Sequence, residues 1–267
     1  MTRVLALDRR YLGYCNLKNG VNMQKISLNR DERLNNNPNL NTKSIEIVSK
    51  ILSKNDLKAQ ELREIYRSLG LYVVNLMSSP GSGKTTFLES LSTYTDMRFC
   101  VLEGDLQTNR DALRLEEKGV SAYQITTGEA CHLEAAMIES ALEALQKQCD
   151  MRQMEYLFIE NVGNLVCPAS YDLGAGLNIV LLSIPEGDDK VLKYPTMFMC
   201  ADAVIVSKAD MMGYFDFRLE RVKSDLAQLK ANVPLFTVSS KERESVIKVC
   251  DFIAERRTQG YCSTHQF

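Results

Sequence analysis

The segment with sequence S-S-P-G-S-G-K-T-T at residues 78–86 limits the possible folds more than any other part of the chain. The apolar run Leu71–Met77 precedes it and predicts a buried strand, and a helical pattern follows from Thr85. A glycine-rich loop between a strand and a helix presents backbone N–H groups that can surround phosphate oxygens. Lys84 would reach the β- and γ-phosphates, and the Thr85 hydroxyl would join the ligands of a Mg²⁺ ion. The predicted nucleotide contacts in this loop are Ser79, Gly81, Ser82, Gly83, Lys84, Thr85 and Thr86.

Short apolar runs alternate with helical patterns from residue 71 onward. Several runs are apolar at consecutive positions, as expected for strands covered on both faces. The predicted strands are Leu71–Met77, Phe99–Glu103, Ala122–Thr126, Tyr156–Glu160, Ile179–Ile184, Ala203–Val206 and Leu235–Val238. The predicted helices are Thr85–Tyr94, Asp111–Lys118, His132–Gln148, Phe217–Lys230 and Glu242–Arg257. The pattern predicts an α/β fold with a doubly wound, mainly parallel seven-stranded sheet and flanking helices, as in P-loop NTPases.

Acidic residues at the ends of two other strands indicate a Mg²⁺ site near the phosphates. Asp105 ends the second strand and is a candidate ligand for Mg²⁺ or for positioning water. Glu160 begins the sequence E-N-V-G and could hold Mg²⁺ through water, while the Gly163 N–H could sense the γ-phosphate. These groups should meet because open α/β sheets bind ligands at the carboxyl ends of their strands. Together with Lys84, they are the predicted catalytic residues.

The sequence S-K-A-D at residues 207–210 resembles the N-K-x-D element that reads guanine, with Ser207 in place of Asn. A carboxylate at Asp210 can accept both guanine N1–H and N2–H, which adenine cannot offer. The Lys208 stem can pack on the base, and Ser240 and Lys241 suit a loop that closes over it. The predicted nucleotide is therefore GTP or GDP, although the shorter Ser207 should weaken binding of the guanine base.

A cysteine and a histidine are adjacent at residues 131 and 132, and Cys167 follows Gly163 by four residues. Thr126 and Glu129 form a potential capping box before a helix that would start at His132. Thiolate and imidazole ligands suit Ni²⁺ or Zn²⁺. Cys131, His132 and Cys167 are therefore candidate metal ligands, and a two-fold dimer could complete their coordination. An adjacent Cys-His pair is by itself more often structural.

The N-terminal region differs in charge from the rest of the chain. Residues 1–41 hold seven Lys and Arg against three acids, and end in an Asn-rich stretch, which predicts a flexible basic tail. Residues 42–70 show helical spacing of apolar positions that is interrupted by Asn55. This helix either packs on its own domain, which is favoured, or forms a partner-binding coiled coil. Residues 71–257 form the predicted GTPase domain, and residues 258–267 a C-terminal tail.

Composition excludes several classes of protein. The net charge of −2 gives no argument for nucleic-acid binding. No apolar run reaches the ~18–20 residues that a membrane span needs. Eight cysteines without a recognisable secretion signal are typical of reduced thiols in a cytoplasmic protein. We therefore expect neither nucleic acid nor membrane as a partner.

Five segments together resemble the HypB family of hydrogenase nickel-incorporation GTPases, which belongs to the SIMIBI class of P-loop GTPases. They are L-M-S-S-P-G-S-G-K-T-T, E-G-D-L-Q-T, G-E-A-C-H-L, E-N-V-G-N-L-V-C-P-A and E-G-D-D-K-x-L-K-Y-P. The resemblance covers roughly residues 45–257 and includes K-N-D at residues 54–56. It implies a nucleotide-linked homodimer that delivers Ni²⁺ to a [NiFe]-hydrogenase large-subunit precursor together with accessory nickel-delivery proteins.

Two further points qualify this interpretation. Many family members carry an N-terminal nickel-binding Cys cluster or His tract, whereas residues 1–41 contain only Cys15 and no His. Lys190, in the acidic 186–190 segment, could reach the neighbouring subunit's nucleotide. The alternatives are a urease-type or other metal-delivery GTPase, a metabolic P-loop kinase or ATPase, and a non-catalytic scaffold.

Overall fold

The computed structural model describes residues 42–105 and 110–262. Seven strands form one sheet in the order β3-β2-β4-β1-β5-β6-β7, and every neighbouring pair is parallel. The strands are β1 Tyr72–Ser78, β2 Phe99–Asp105, β3 Ala122–Thr126, β4 Tyr156–Glu160, β5 Leu177–Ser183, β6 Ala203–Ser207 and β7 Leu235–Val238. The predicted seven-stranded, doubly wound fold is confirmed, and the sheet is entirely parallel.

Eight α-helices lie within the described residues. They are α1 Thr42–Ser68, α2 Lys84–Tyr94, α3 Arg110–Glu116, α4 Ala135–Gln148, α5 Lys190–Lys193, α6 Pro195–Cys200, α7 Leu219–Leu229 and α8 Arg243–Cys262. The five predicted helices of the GTPase domain are present with small differences at their ends, and α5 and α6 were not predicted. Among the described residues, no helix combines the length and apolar character needed to cross a bilayer.

The sheet is buried on both faces, which explains its consecutive apolar strands. On one face, Val74 and Phe158 pack with α2, α3 and α8. On the other face, Val73 and Leu157 pack with α1 and α4 around Leu62. A third buried cluster, which includes Val180 of β5 and Val204 of β6, continues the apolar layer on that second face. Because helices cover both faces, only the strand ends and their loops are open to ligands.

Helix α1 lies against its own domain. Leu52, Ala59, Leu62 and Tyr66 are buried along one side, and α1 contacts α4 and β1. The described chain has the packing that was favoured for residues 42–70, and it does not test the alternative of a coiled coil to a partner. Residues 1–41 lie outside the described part of the chain, so their predicted flexibility is not addressed by it.

The predicted C-terminal tail at residues 258–267 is wrong for its first part, because α8 continues to Cys262. The Thr258 hydroxyl donates to the Ala254 carbonyl at 3.0 Å, and Gln259 donates to Glu255 at 2.9 Å, so the helix is supported past residue 257. Gly260 faces the ring of Tyr72. The glycine therefore lies within the helix, beside Tyr72 of β1. Residues 263–267 are outside the described range.

Candidate functional site

The P-loop joins β1 to α2 and holds its lysine in a buried position. Gly81 and Gly83 have φ values of 73° and 91°, which glycine adopts without a Cβ penalty. The Lys84 amino group donates to the Ser78 hydroxyl at 3.1 Å. Thr86 is exposed at the first turn of α2, where its hydroxyl lies 3.4 Å from Arg114. The loop therefore has the strand–loop–helix form that the sequence predicted.

Glu186 binds the serine hydroxyls of this loop, a contact that was not predicted. Its carboxylate accepts hydrogen bonds from Ser79 and from Ser82, the latter at 2.7 Å. The same carboxylate accepts from the Ser183 N–H at 2.8 Å and hydroxyl at 2.6 Å. The S-x-x-E spacing of residues 183–186 is a capping-box signal that could have indicated the second set of contacts. The acidic 186–190 segment is thereby tied to the phosphate loop.

Three carboxylates meet beside Thr85 at the sheet edge. Ligand atoms of Glu103, Asp111 and Glu160 lie within 4.8 Å of one another, and Thr85 donates to Glu160 at 2.8 Å. Burial raises the pKa of Glu103 to about 8, helped by the charge of Glu160. Burial likewise raises the pKa of Glu160 to about 7, although Lys84 opposes the change. Such crowded, desolvated carboxylates are arranged to gain from a nearby cation.

The three predicted Mg²⁺ ligands differ in how closely they approach this cluster of carboxylates. Thr85 and Glu160 belong to it directly, whereas Asp105 ends β2 next to it and adds its charge to the environment of Glu103. Glu103 and Asp111 were not among the predicted ligands. One oxygen each of Glu103 and Glu160 is buried with no hydrogen-bond partner among the described residues. These orphaned oxygens fit a Mg²⁺ ion bound directly or through water.

Gly163 packs directly on the P-loop. A Cβ added at Gly163 would lie 2.8 Å from both the backbone N and the Cα of Pro80, so only glycine fits here. The neighbouring Asn161 is buried, and its backbone N–H donates to the Leu76 carbonyl at 2.9 Å. The predicted γ-phosphate sensor is therefore in contact with the loop that would hold the phosphates.

The predicted guanine-reading residues lie at the ends of β6 and β7. The Asp210 carboxylate accepts from Lys241 at 2.6 Å and from the Ser239 hydroxyl at 3.4 Å. The Lys241 partnership is the main cause of the lowered pKa of Asp210, so this carboxylate is ionised and able to accept hydrogen bonds. Lys208 has a left-handed backbone with φ of 57°, and Ser240 lies in the turn after β7.

Cys131, His132 and Cys167 form one cluster whose ligand atoms all lie within 4.8 Å of one another. The two Sγ atoms are 2.8 Å apart, and Cys131 Sγ lies 3.8 Å from His132 Nδ1. The Tyr171 ring stacks on the imidazole with centroids 3.8 Å apart, a contact that the sequence did not indicate. Burial raises the pKa of Cys167, and the Cys131 thiol adds to the effect. A bound cation would favour both thiolates.

The helix that follows His132 begins later than predicted. Helix α4 starts at Ala135, while Thr126 belongs to β3 and Glu129 to a turn, so the predicted capping box is wrong. The Ala135 N–H instead donates to the Asn55 side chain at 2.8 Å. A distant residue thus replaces the local cap, and Cys131 and His132 lie in the segment before the helix.

Comparison with known proteins agrees with this geometry. Residues 72–237 match the family described as CobW/HypB/UreG, nucleotide-binding domain. The hydrogenase/urease maturation factor HypB of Helicobacter hepaticus is 79% identical over 242 residues, which are 91% of this chain and 100% of that protein. The chain belongs to the HypB family. The corresponding HypB protein of Helicobacter pylori strain 26695 is 62% identical over the same shares of both chains.

Two solved HypB structures share the fold. The crystal structure of HypB from Helicobacter pylori in complex with nickel has a TM-score of 0.77 and 62% identity, and the match covers 80% of this chain and 100% of that chain. HypB from Archaeoglobus fulgidus has a TM-score of 0.68 and 31% identity, covering 77% and 99%. The described core is therefore that of a HypB nucleotide-binding domain.

The HypB segment E-G-D-D-K is held by ion pairs on this chain. Asp188 accepts from Arg218 at 3.0 Å and from Arg221 at 2.9 Å. Lys190 lies 3.8 Å from Asp189 and is partly buried. Its contact with a neighbouring subunit's nucleotide stays a prediction.

Proposed function

We propose that this protein is a GTP-hydrolysing nickel metallochaperone that assists nickel insertion during maturation of a [NiFe]-hydrogenase. The observation that carries the proposal is the short segment joining Gly163, which contacts the P-loop at Pro80, to Cys167, which contacts Cys131. The proposed metal ligand Cys167 is four positions after the proposed phosphate sensor Gly163. A change at the γ-phosphate can therefore move the metal site through a small number of backbone bonds.

Hydrolysis would proceed by attack of water on the γ-phosphate, with GDP leaving. The buried Lys84 ammonium lies where it can stabilise charge on the β- and γ-phosphate oxygens, and the Gly163 N–H can orient the γ-phosphate. Thr85 and Glu160, with Glu103 and Asp105 beside them, would hold Mg²⁺, which neutralises developing negative charge when bound. We expect slow turnover because Glu103 and Glu160, the buried carboxylates beside the loop, are assigned to Mg²⁺ and not to proton abstraction from water.

The nickel part of the proposal is supported by ligand chemistry and by the relatives. Two thiols and one imidazole within 4.8 Å suit Ni²⁺ or Zn²⁺ as cargo. The relatives from two Helicobacter species are named for maturation of hydrogenase and urease, and one of them was crystallised with nickel. Urease is therefore a second candidate acceptor. Three ligands leave the coordination incomplete, so we propose that a homodimer shares the site across its two-fold axis.

Three assays on the purified protein test this function. Single-turnover cleavage of GTP separates a GTPase from a scaffold that only binds nucleotide, and excess ATP as competitor separates it from a kinase or ATPase. Equilibrium dialysis against Ni²⁺ should show stoichiometric binding that falls strongly in Cys131→Ala and Cys167→Ala, with basal GTP hydrolysis largely retained. Unchanged Ni²⁺ binding in both variants would remove the metallochaperone assignment.

A cytoplasmic location, which reduced thiols favour, stays a prediction.

A further inference from the structure

Asn55 is a buried polar residue on the apolar side of helix α1, with only 7% of its surface exposed. Its two amide atoms bind two different segments. The Oδ1 atom accepts from the Ala135 N–H at 2.8 Å, and the Nδ2 atom donates to the Asp172 carbonyl at 2.8 Å. Both partners are remote in sequence, so the amide is placed by the fold and not by a local turn.

These two segments are the ones that carry the predicted metal ligands. Ala135 is the first residue of α4 and follows Cys131 by four positions, whereas Asp172 follows Cys167 by five. Glu134, the residue before α4, forms no side-chain cap hydrogen bond, so Asn55 satisfies a donor that would otherwise be orphaned. One side chain therefore fastens both halves of the cluster to α1.

The connections from Asn55 to the ligands are short and stiff. A 3₁₀ helix spans Cys167–Ser170 with Pro168 in its first turn, and Tyr171 then stacks on His132. On the other side, the fully buried Leu133 anchors the chain just after His132. If either hydrogen bond of Asn55 is lost and its partner segment moves, the cysteine sulfur atom of that segment should therefore move by a similar amount.

We propose that Asn55 is a positioning residue for the cargo site, which sets the separation of the Cys131–His132 and Cys167 segments before any metal is present. It touches none of the three ligands. The metal-binding consequence rests on the proposed function, whereas the effect on thiol geometry does not. Asn55 would thus pre-organise the site, so that less metal-binding energy is spent on ordering the protein.

Three variants separate this role from general packing. Asn55→Ala removes both hydrogen bonds. Asn55→Asp retains an acceptor for the Ala135 N–H but loses the donor to Asp172. This variant allows the same measurements if Asn55→Ala fails to fold. Tyr66→Phe is the matched control, because the buried Tyr66 hydroxyl donates to Leu173 at 3.0 Å from the same helix to the same loop. The hydrogen bond that this control removes runs to Leu173 and not to α4.

The first measurement needs no metal. The full-length protein is equilibrated with reduced and oxidised glutathione, and the Cys131–Cys167 disulfide is quantified by peptide mass spectrometry. Two thiols lose two electrons and two protons, and glutathione disulfide is reduced in exchange. We expect the equilibrium constant to fall by about ten-fold or more in both Asn55 variants, and by less than about two-fold in Tyr66→Phe. An unchanged constant in Asn55→Asp, or an equal fall in the control, would overturn the proposal.

The second measurement is Ni²⁺ affinity of the reduced protein, read by competition with a chromophoric chelator. We expect both Asn55 variants to bind Ni²⁺ about ten-fold or more weakly, which is the usual cost of losing a residue that orients ligands. The control should stay near wild type. If wild type binds no Ni²⁺, the proposed function fails, yet the disulfide measurement still decides the role of Asn55. If wild type binds Ni²⁺ and Asn55→Asp binds it equally well, the role of Asn55 is wrong.

Discussion

The hydroxyl of Ser207 donates a hydrogen bond to the backbone carbonyl of Ser82 at 2.7 Å. Ser207 stands where the guanine-reading element usually has an amide, and its hydroxyl still reaches the P-loop. Both residues are buried, so the bond is shielded from water. The end of β6 that carries the S-K-A-D element is therefore tied to the phosphate loop despite the shorter side chain, and we propose that guanine recognition depends mainly on Asp210.

Asp210→Asn should reduce the preference for guanine over adenine nucleotides. The carboxylate accepts two N–H groups, and an amide can accept only one while presenting a donor to the other, a loss of about 1–3 kcal/mol. Competition of GDP and ADP against a fluorescent guanine nucleotide measures the preference. Asp216→Asn, a substitution at an exposed carboxylate, is the matched control. Equal competition by ATP and GTP in the wild type would refute guanine specificity.

Lys84→Ala should abolish tight nucleotide binding or hydrolysis while the fold persists. The ammonium group is buried beside Ser78, so its loss removes a positive charge from the phosphate site. We expect phosphate release to fall by about 10²-fold or more, as for other electrostatic contacts of a transition state. Circular dichroism would verify folding. Phosphate release at the wild-type rate would show that the loop is not the catalytic P-loop.

Gly163→Ala should impair GTP hydrolysis more than GDP binding. The added methyl would meet the Pro80 backbone at 2.8 Å, so the two loops must move apart. Since the γ-phosphate is present only in GTP, we expect GDP affinity to change by less than about three-fold and hydrolysis to fall by about ten-fold or more. Gly213→Ala, where a Cβ would meet nothing within 4 Å, provides the control. Parallel losses in both measurements would indicate a general folding defect instead.

The protein without nucleotide or metal should lose stability as the pH rises from about 5 to about 8. Burial raises the pKa of Glu103 from 4.5 to about 8, so the folded protein binds a proton that the unfolded chain has released. Unfolding between these two pKa values therefore releases a proton. Because a higher pH favours proton release, the free energy of unfolding falls as the pH rises through this range. Glu103→Gln, which stays neutral, should flatten the decline in urea titrations, leaving a smaller part from Glu160 below about pH 7. An identical slope in Glu103→Gln would contradict the raised pKa.

Local pattern was sufficient for the sheet and for the pairing of Thr85 with Glu160, but it missed Glu103 and Asp111 beside them. Strands such as Tyr156–Glu160 are apolar at consecutive positions, and their carboxyl ends converge because the sheet is parallel. The strand ends therefore brought Thr85 to Glu160, whereas the grouping of Cys131 with Cys167 also drew on the resemblance to the HypB family.

Contacts between distant segments could not be inferred in the same way. Asn55 caps a helix that begins at residue 135, and Glu186 binds the hydroxyl of Ser82 across more than a hundred residues. An isolated polar residue in a helix, or an acid after a strand, has many potential partners, and only the tertiary fold selects one. The length of α8 was missed in the same way, because the helix continues past residue 257 to Cys262, with Gly260 beside Tyr72 of the sheet.

The central claim is that nucleotide state changes the metal site through the segment from Gly163 to Cys167. The most direct test is the Ni²⁺ affinity of the wild-type protein, measured by chelator competition with GDP and then with a non-hydrolysable GTP analogue, both with Mg²⁺. We predict a change of at least about ten-fold between the two nucleotides, abolished in Cys167→Ala, because the loop that carries this thiol contacts the phosphate loop. The same Ni²⁺ affinity with both nucleotides, in protein that binds each of them, would contradict the account.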